Sequence, residues 1–351
     1  MKVEEERAIE FIRKGLLASF LEAPEKFSEH IFSCMAGLDV SLSYGVPIQK
    51  HEDPTVESLN HAFHVSEIIA VPGEFLVELL PTLKYVPEWM PGAGFKTLAR
   101  EWAELINGAV DKAFNLTLKG LNDGTTRDCF ASWSLEHNNL ERNDLESVKY
   151  EQLVKQLASV VFKAGTDTRV ATALTFVLAM LLYPEVQQKA QAEIDAVIGL
   201  DRLPEFSDRD QLPYISAILK EVLRWNPVLS IGIPHLSTGD DVYNGYYIPS
   251  GSIVIANTYA MLHDPEVFPN PEVFDPERFL KDGKPNPQIL DPTNVASFGF
   301  GRRKCPGAQV ALASTYLAFA SILTLFDILP ELGEEKPTRV EPEFSSWSII
   351  S

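Results

Sequence analysis

Residues 298–307 read Phe-Gly-Phe-Gly-Arg-Arg-Lys-Cys-Pro-Gly. One cysteine, Cys305, sits in a loop of glycines, a proline and three consecutive cations. The stretch Ala308–Leu325 follows at once, apolar, alanine-rich and without internal Gly or Pro. That composition predicts a buried helix. Cys305 is then expected just ahead of a helix N-terminus, where free backbone N–H groups and the helix dipole favour an anion. Together with Arg302, Arg303 and Lys304 this favours a thiolate, the form of cysteine that ligates metals. Gly299, Gly301 and Gly307 let backbone approach a flat ligand without side chains in between. A lone cysteine is more often a small buried hydrophobe, so the weight rests on the longer pattern.

Phe298, Gly301, Arg303, Cys305 and Gly307 together match Phe-x-x-Gly-x-Arg-x-Cys-x-Gly. This resembles the haem-binding loop of the cytochrome P450 (haem-thiolate monooxygenase) family. The resemblance implies haem b (heme, iron protoporphyrin IX) with the Cys305 thiolate as axial iron ligand. It makes Arg303, Phe298, Gly301 and Gly307 cofactor-binding residues. A thiolate ligand in this family favours O–O cleavage.

Three upstream segments carry the same likeness. Ala164-Gly165-Thr166-Asp167-Thr168 lies inside a long predicted helix. Glycine there costs roughly 1 kcal/mol relative to alanine, and hydroxyls of Thr166 and Thr168 can bond back to carbonyls and bend the helix. Read alone it is a kink. It also resembles the family's Ala/Gly-Gly-x-Asp/Glu-Thr oxygen-activation motif, which implies a groove at Ala164 and Gly165 for a diatomic ligand and makes Asp167 and Thr168 candidate catalytic residues that relay protons. Glu221 and Arg224 share a helix face at i and i+3. Alone they are a solvated ion pair of little value. With Pro276-Glu277-Arg278-Phe279 downstream they resemble the family's structural clamp. Gly232-Ile233-Pro234-His235 resembles the position whose cation bonds a haem propionate, which makes His235 a candidate; a polar loop histidine is the alternative. Ile231 and Ile233 would then face the substrate.

The remaining chain predicts a mainly α fold with a small β part. Apolar residues from Ala8 to Leu17 and from Phe27 to Leu42 recur with helical period. Pro81–Gly94 is a Pro/Gly-rich connector that resembles fungal members of the family or, equally, is an ordinary loop. Residues 115–143 are polar and predict a surface loop around a short helix. From Leu145 a helix is expected to run to Tyr183, with Leu153, Leu157, Val160, Val161, Ala164, Thr168 and Ala171 along one face. Val242-Tyr243 and Tyr246-Tyr247-Ile248 flank Asn244-Gly245, a strong hairpin signal. Residues 262–295 predict an irregular loop, and the tail after Pro330 little beyond a short strand.

The chain has 351 residues, net charge −19 and three cysteines, Cys34, Cys129 and Cys305. The charge argues against a nucleic-acid partner, and the odd, scattered cysteines against a disulfide framework. No signal peptide or membrane span is expected, the run Val170–Tyr183 being short for a bilayer. A cytoplasmic location is therefore expected, while full-length relatives in the family are usually anchored at the endoplasmic reticulum. No Walker loop or dinucleotide fingerprint is present, so electrons are expected from an NADPH-dependent reductase, with dioxygen and a small apolar substrate as the other partners. Arg302, Arg303 and Lys304 offer either part of a docking face for an acidic reductase or, for Arg303, a propionate partner. The likeness covers the chain as one catalytic domain, residues 1–351, but the family's first sheet, opening helices and Trp-x-x-x-Arg pattern have no counterpart. The chain is thus expected to be an N-terminally truncated monooxygenase of secondary metabolism, or alternatively a haem-binding remnant without turnover. A haem-thiolate isomerase or dehydratase is a third reading, disfavoured by Asp167 and Thr168.

Overall fold

Helical periodicity accounts for most of the chain. A computed structural model describes residues 2–49, 53–69, 73–138, 145–330, 344–346 and 349–350. These group into two compact units, 1–170 and 171–351. The architecture is mainly α with a small β part, as expected, and the described residues hold four two-stranded antiparallel sheets.

In the first unit, α1 (Lys2–Glu10) continues through a π-helical turn, Phe11–Leu17, into α2 (Ala18–Glu22). Ile12, Leu16, Leu17 and Phe20 are buried along it. Helix α3 (Phe27–Tyr44) ends where Gly45 adopts a left-handed φ of 66° and its N–H bonds Ser41 O at 3.0 Å. A Cβ there would also lie 2.5 Å from the Arg127 carbonyl, so only glycine closes this helix. Asp53 caps α4 (Pro54–Ile69), its Oδ1 accepting from the N–H groups of Thr55 and Val56 at 2.8 and 3.1 Å. A short α5 (Leu76–Leu79) precedes the Pro/Gly-rich connector, Pro81–Gly94, which opens with a 3-10 turn, Pro81–Tyr85.

Helix α6 (Gly94–Asp123) departs from expectation, extending through a stretch expected to be loop. Residues 115–123 expose Asn115, Lys119, Asn122 and Asp123, a polar composition that reads as loop in sequence. Their other side supplies Thr117, whose hydroxyl donates to Tyr44 O at 2.7 Å. Ala109, Val110, Ala113 and Phe114 of the same helix pack with Val40, Tyr44, Leu59, Ala158 and Phe162 in one core. The helix stops at Gly124, φ 68°. A short α7 (Phe130–Glu136) follows; the expected loop residues 139–143 lie outside the described residues.

Helix α8 (Leu145–Leu182) is the longest in the chain, and the division between the units falls within it. Val154, Ala158 and Phe162 are its buried face in the first unit. Of the stripe read from sequence, Leu153, Leu157, Val160, Val161 and Ala164 are exposed, Thr168 is half-buried and Ala171 is buried.

In the second unit, α9 (Pro184–Val197) and α10 (Pro213–Trp225) each begin with a first-turn proline. The Glu193 carboxylate accepts from the N–H groups of Tyr214 and Ile215 at the start of α10, at 2.9 to 3.2 Å. This is the acid a helix N-terminus favours. Strand β1 (His235–Leu236) pairs with β4 (Ile253–Val254), and β2 (Asp241–Tyr243) with β3 (Tyr246–Ile248). Both turn residues of that hairpin, Asn244 and Gly245, have positive φ, 50° and 83°, as a type I′ turn requires. After α11 (Thr258–Leu262), a largely irregular stretch carries the hairpin β5–β6 (Leu280–Lys281, Lys284–Pro285) and α12 (Pro292–Val295). Helix α13 (Ala308–Leu325) is where its composition predicts it, buried from Ser314 to Leu323. Phe319 stacks on Phe176 at 3.9 Å and 12°. The short pair β7–β8 (Phe344–Ser346, Ile349–Ile350) ends the chain; the acidic tail residues 331–343 lie outside the described residues.

By length and composition α8 and α13 could each cross a membrane. Half or more of the most apolar window of each is buried inside the protein, as in core helices.

Irregular backbone must still satisfy its carbonyls, and here two arginines do so. Arg224 is fully buried on α10. Its Nε and Nη2 donate to the two oxygens of Glu221 at 2.7 and 2.8 Å. Its remaining donors reach Leu262 O at 3.0 Å and Val273 O at 3.3 Å. Arg278 adds Nε to Glu221 Oε1 at 3.1 Å, and reaches Pro269 O and Val273 O at 3.0 and 3.2 Å. The Asp275 N–H also donates to Glu221, at 2.8 Å. The solvated-pair reading is therefore excluded: the clamp is dry, bidentate and shared with loop backbone. Removing the carboxylate leaves two buried cations uncompensated. Glu221→Ala is expected to lose about 3–5 kcal/mol of stability, measured by urea unfolding.

Candidate functional site

Cys305 is held by its own loop. Its N–H donates to Phe298 O at 2.8 Å, closing the segment on itself. Gly299 and Gly301 take left-handed φ values of 76° and 56°, which other residues adopt only with strain. A 3-10 turn, Gly301–Arg303, carries the cations outward, and Arg302, Arg303 and Lys304 are all exposed. Gly307 differs from the other two: its φ is −82°, and an added Cβ would lie 3.8 Å from Cys305 Sγ. That is an ordinary van der Waals distance, so neither backbone angle nor a clash requires glycine at this position. Helix α13 starts at Ala308, three residues beyond the cysteine.

Helix α10 presents this loop from behind. Lys220 Nζ pairs with Asp291 Oδ2 at 2.8 Å. Asp291 Oδ1 caps α12 through the Thr293 N–H at 2.9 Å. Ala296, next after α12, packs with Ala217 of α10 and with Leu262, Phe268 and Phe279. The helix that carries Glu221 and Arg224 of the clamp therefore also holds the segment leading into the cysteine loop.

Of the three cysteines, Cys34 and Cys129 are buried and Cys305 is exposed. Burial pushes the Cys34 thiol up to about 12, and Cys129 Sγ accepts the Ser132 N–H at 3.2 Å as the cap of α7. Neither is placed to ligate. A single exposed sulfur beside open glycine backbone suits a metal that brings its other ligands with it, as a porphyrin does with four nitrogens. The residues present fit haem on that ground.

The second segment, on α8, differs from its sequence reading in one respect. Only Thr168 bonds back along the helix, Oγ1 donating to Ala164 O at 2.8 Å. Thr166 is buried and donates to Asp39 Oδ2 of α3 at 3.0 Å. Gly165 does not line an open groove on its Cβ side. A Cβ there would lie 2.7 Å from Asp39 Oδ1 and 2.9 Å from Oδ2. The glycine admits a carboxylate from the neighbouring helix, while Ala164 is exposed. Arg169 completes the cluster, pairing with Asp39 while its Nε donates to Gly165 O at 3.3 Å. Desolvation raises the Asp39 acid and the Arg169 guanidinium opposes it. Asp167 pairs with Lys163 at 2.5 Å, both about one-fifth exposed.

His235 lies on β1, opposite Val254, and is exposed, as is Ile233; Ile231 is half-buried. Sequence reasoning missed Asp39. Its only local signal is an acid among the apolar residues of α3, and its partners are more than a hundred positions away.

A profile of the family described as Cytochrome P450 matches residues 16–348. A cytochrome P450 monooxygenase of Armillaria gallica is 42% identical over 344 residues, covering 96% of this chain and 66% of the relative. One of Coprinopsis cinerea is 40% identical over 328 residues, 93% of this chain and 62% of the relative. A tryptamine 4-monooxygenase of Psilocybe cyanescens is 38% identical over 334 residues, 94% and 65% respectively. The chain spans less than two thirds of the length of each of these relatives.

Three outcomes follow from the glycines and thiols. Gly165→Ala is expected to destabilise by about 1–3 kcal/mol through the clash with Asp39, although alanine is the better helix former. Gly108→Ala, on an exposed turn of α6 with nothing within 4 Å of the new Cβ, is expected to stabilise by about 0.5–1 kcal/mol. Thermal unfolding compares the two. Brief maleimide treatment of the native chain should label Cys305 alone, shown by peptide mass mapping.

Proposed function

Since this chain belongs to the cytochrome P450 family, we propose that it is a haem-thiolate monooxygenase acting on a small apolar molecule in secondary metabolism. The observation that carries this reading is the Cys305 loop, with an exposed thiol, left-handed glycines and exposed cations in one short segment. Cys305 would hold the iron of haem b. Arg303 and His235 would meet the propionates, and Phe298, Gly301 and Gly307 would shape the face against the macrocycle. When bound, the haem supplies the binding and reductive activation of dioxygen. An NADPH-dependent reductase would supply the electrons.

The chain's own contribution is ligation, orientation and proton control. The Asp167 carboxylate and Thr168 Oγ1 are proton carriers one residue apart on α8. In the described geometry each is internally held, Asp167 by Lys163 and Thr168 by the Ala164 carbonyl. Either bond opens by a side-chain rotation, so the pair can take up and pass on a proton by general acid–base relay. Ile231 and Ile233 would contact the apolar substrate. The relatives' names support monooxygenation, one being a tryptamine 4-monooxygenase, and the Asp167–Thr168 pair favours it over haem-thiolate isomerisation.

The test begins with haem. The expressed chain, reduced under carbon monoxide, should show the red-shifted Soret band of thiolate ligation, and Cys305→Ser should abolish it. A chain that takes up no haem would instead be a remnant without turnover. With haem and reductase present, Thr168→Ala should keep oxidising NADPH but divert most of the electrons to peroxide; unchanged coupling would remove Thr168 from the relay.

A further inference from the structure

We propose that Asp39 is a positioning residue for the Asp167–Thr168 pair, an inference that rests on reading those two as the proton relay. The Asp39 carboxylate is buried and makes two side-chain contacts to α8, with Thr166 at 3.0 Å and with Arg169. It also occupies the space a Cβ at Gly165 would take. Arg169 reaches back to Met35 O on α3 at 3.5 Å and to Gly165 O on its own helix at 3.3 Å.

These contacts bracket the relay. Thr166 and Arg169 stand three positions apart and so share a helix face. At about 100° per residue, Asp167 and Thr168 point away from that face. Fixing 165, 166 and 169 against α3 therefore fixes the direction in which 167 and 168 project. An apolar contact would hold α3 on α8 without choosing a rotation. A buried ion pair is often no more stable than apolar residues of like volume, but it is directional, and here three groups must register with one carboxylate. The missing Cβ at Gly165 belongs to the same device, because any other residue would keep the carboxylate out.

Asp39→Leu/Arg169→Met replaces the pair by apolar groups close to the originals in size, and Asp39→Asn removes the charge while keeping the shape. Both are compared with wild type in the full chain. The first readout is amide hydrogen exchange without haem. We expect exchange to be at least tenfold faster across 164–169, with 109–117 of α6 unchanged. The second is the peroxide formed per NADPH in the haem-loaded chain, expected to rise to the level of Thr168→Ala while the carbon monoxide spectrum stays as in wild type. Equal acceleration in both stretches, or in neither, would overturn the proposal, and so would unchanged coupling in a chain where Thr168→Ala uncouples. If Thr168→Ala itself leaves coupling unchanged, the relay reading fails, and local exchange alone decides whether Asp39 sets this segment. Should the double variant not fold, Asp39→Asn carries both readouts.

Discussion

A fully buried carboxylate with two guanidinium groups on it organises the second unit. Glu221 has no water to solvate it, so its charge requires cations within hydrogen-bond reach. Arg224 comes from one turn further along the same helix, and Arg278 from a loop more than fifty residues away. Each guanidinium has donors left over, and these are spent on carbonyls of a stretch too irregular to satisfy itself. Arg224 also lies 5.5 Å from the centre of the Phe268 ring. One anion thus specifies the path of the backbone from Leu262 to Phe279. The cysteine loop inherits its position from the same helix, through Lys220 with Asp291 and through Ala217 with Ala296.

Asp39 solves a different problem with the same chemistry. Around Glu221 the cations serve the carbonyls of Leu262, Pro269 and Val273 along an irregular stretch. Around Asp39 both helices already satisfy their own backbones, so the carboxylate's bonds add registration rather than rescue. The glycine opposite it shows the difference. Gly299 and Gly301 are needed for backbone angle, and Gly165 for the approach of another helix's side chain. Three glycines in two motifs have two distinct physical reasons.

Much of the fold was legible because its signals are local. The Asn-Gly turn, the first-turn prolines of α9 and α10, and the uninterrupted apolar run of α13 each specify structure within a few residues. The clamp was legible for another reason: both halves are short patterns whose pairing the family resemblance supplies. The extension of α6 was not, because its polar face dominates the composition of residues 115–123 while the contacts that keep it helical, such as Thr117 with Tyr44, come from another helix. The stripe Leu153, Leu157, Val160, Val161 was read correctly as one face, but periodicity says which residues share a face and not whether that face is covered.

Sequence by itself determined the family, the cysteine loop and the order of helices, since these depend on backbone propensities, on glycine's access to left-handed angles and on residue types at short spacing. Tertiary structure alone decided which buried charge meets which. Thr166 and Asp39 are 127 positions apart, and nothing in either neighbourhood names the other. Desolvation makes such a pairing obligatory once both are buried, but burial is a property of the packed chain, so the partner of each buried acid is settled only when the helices close on it.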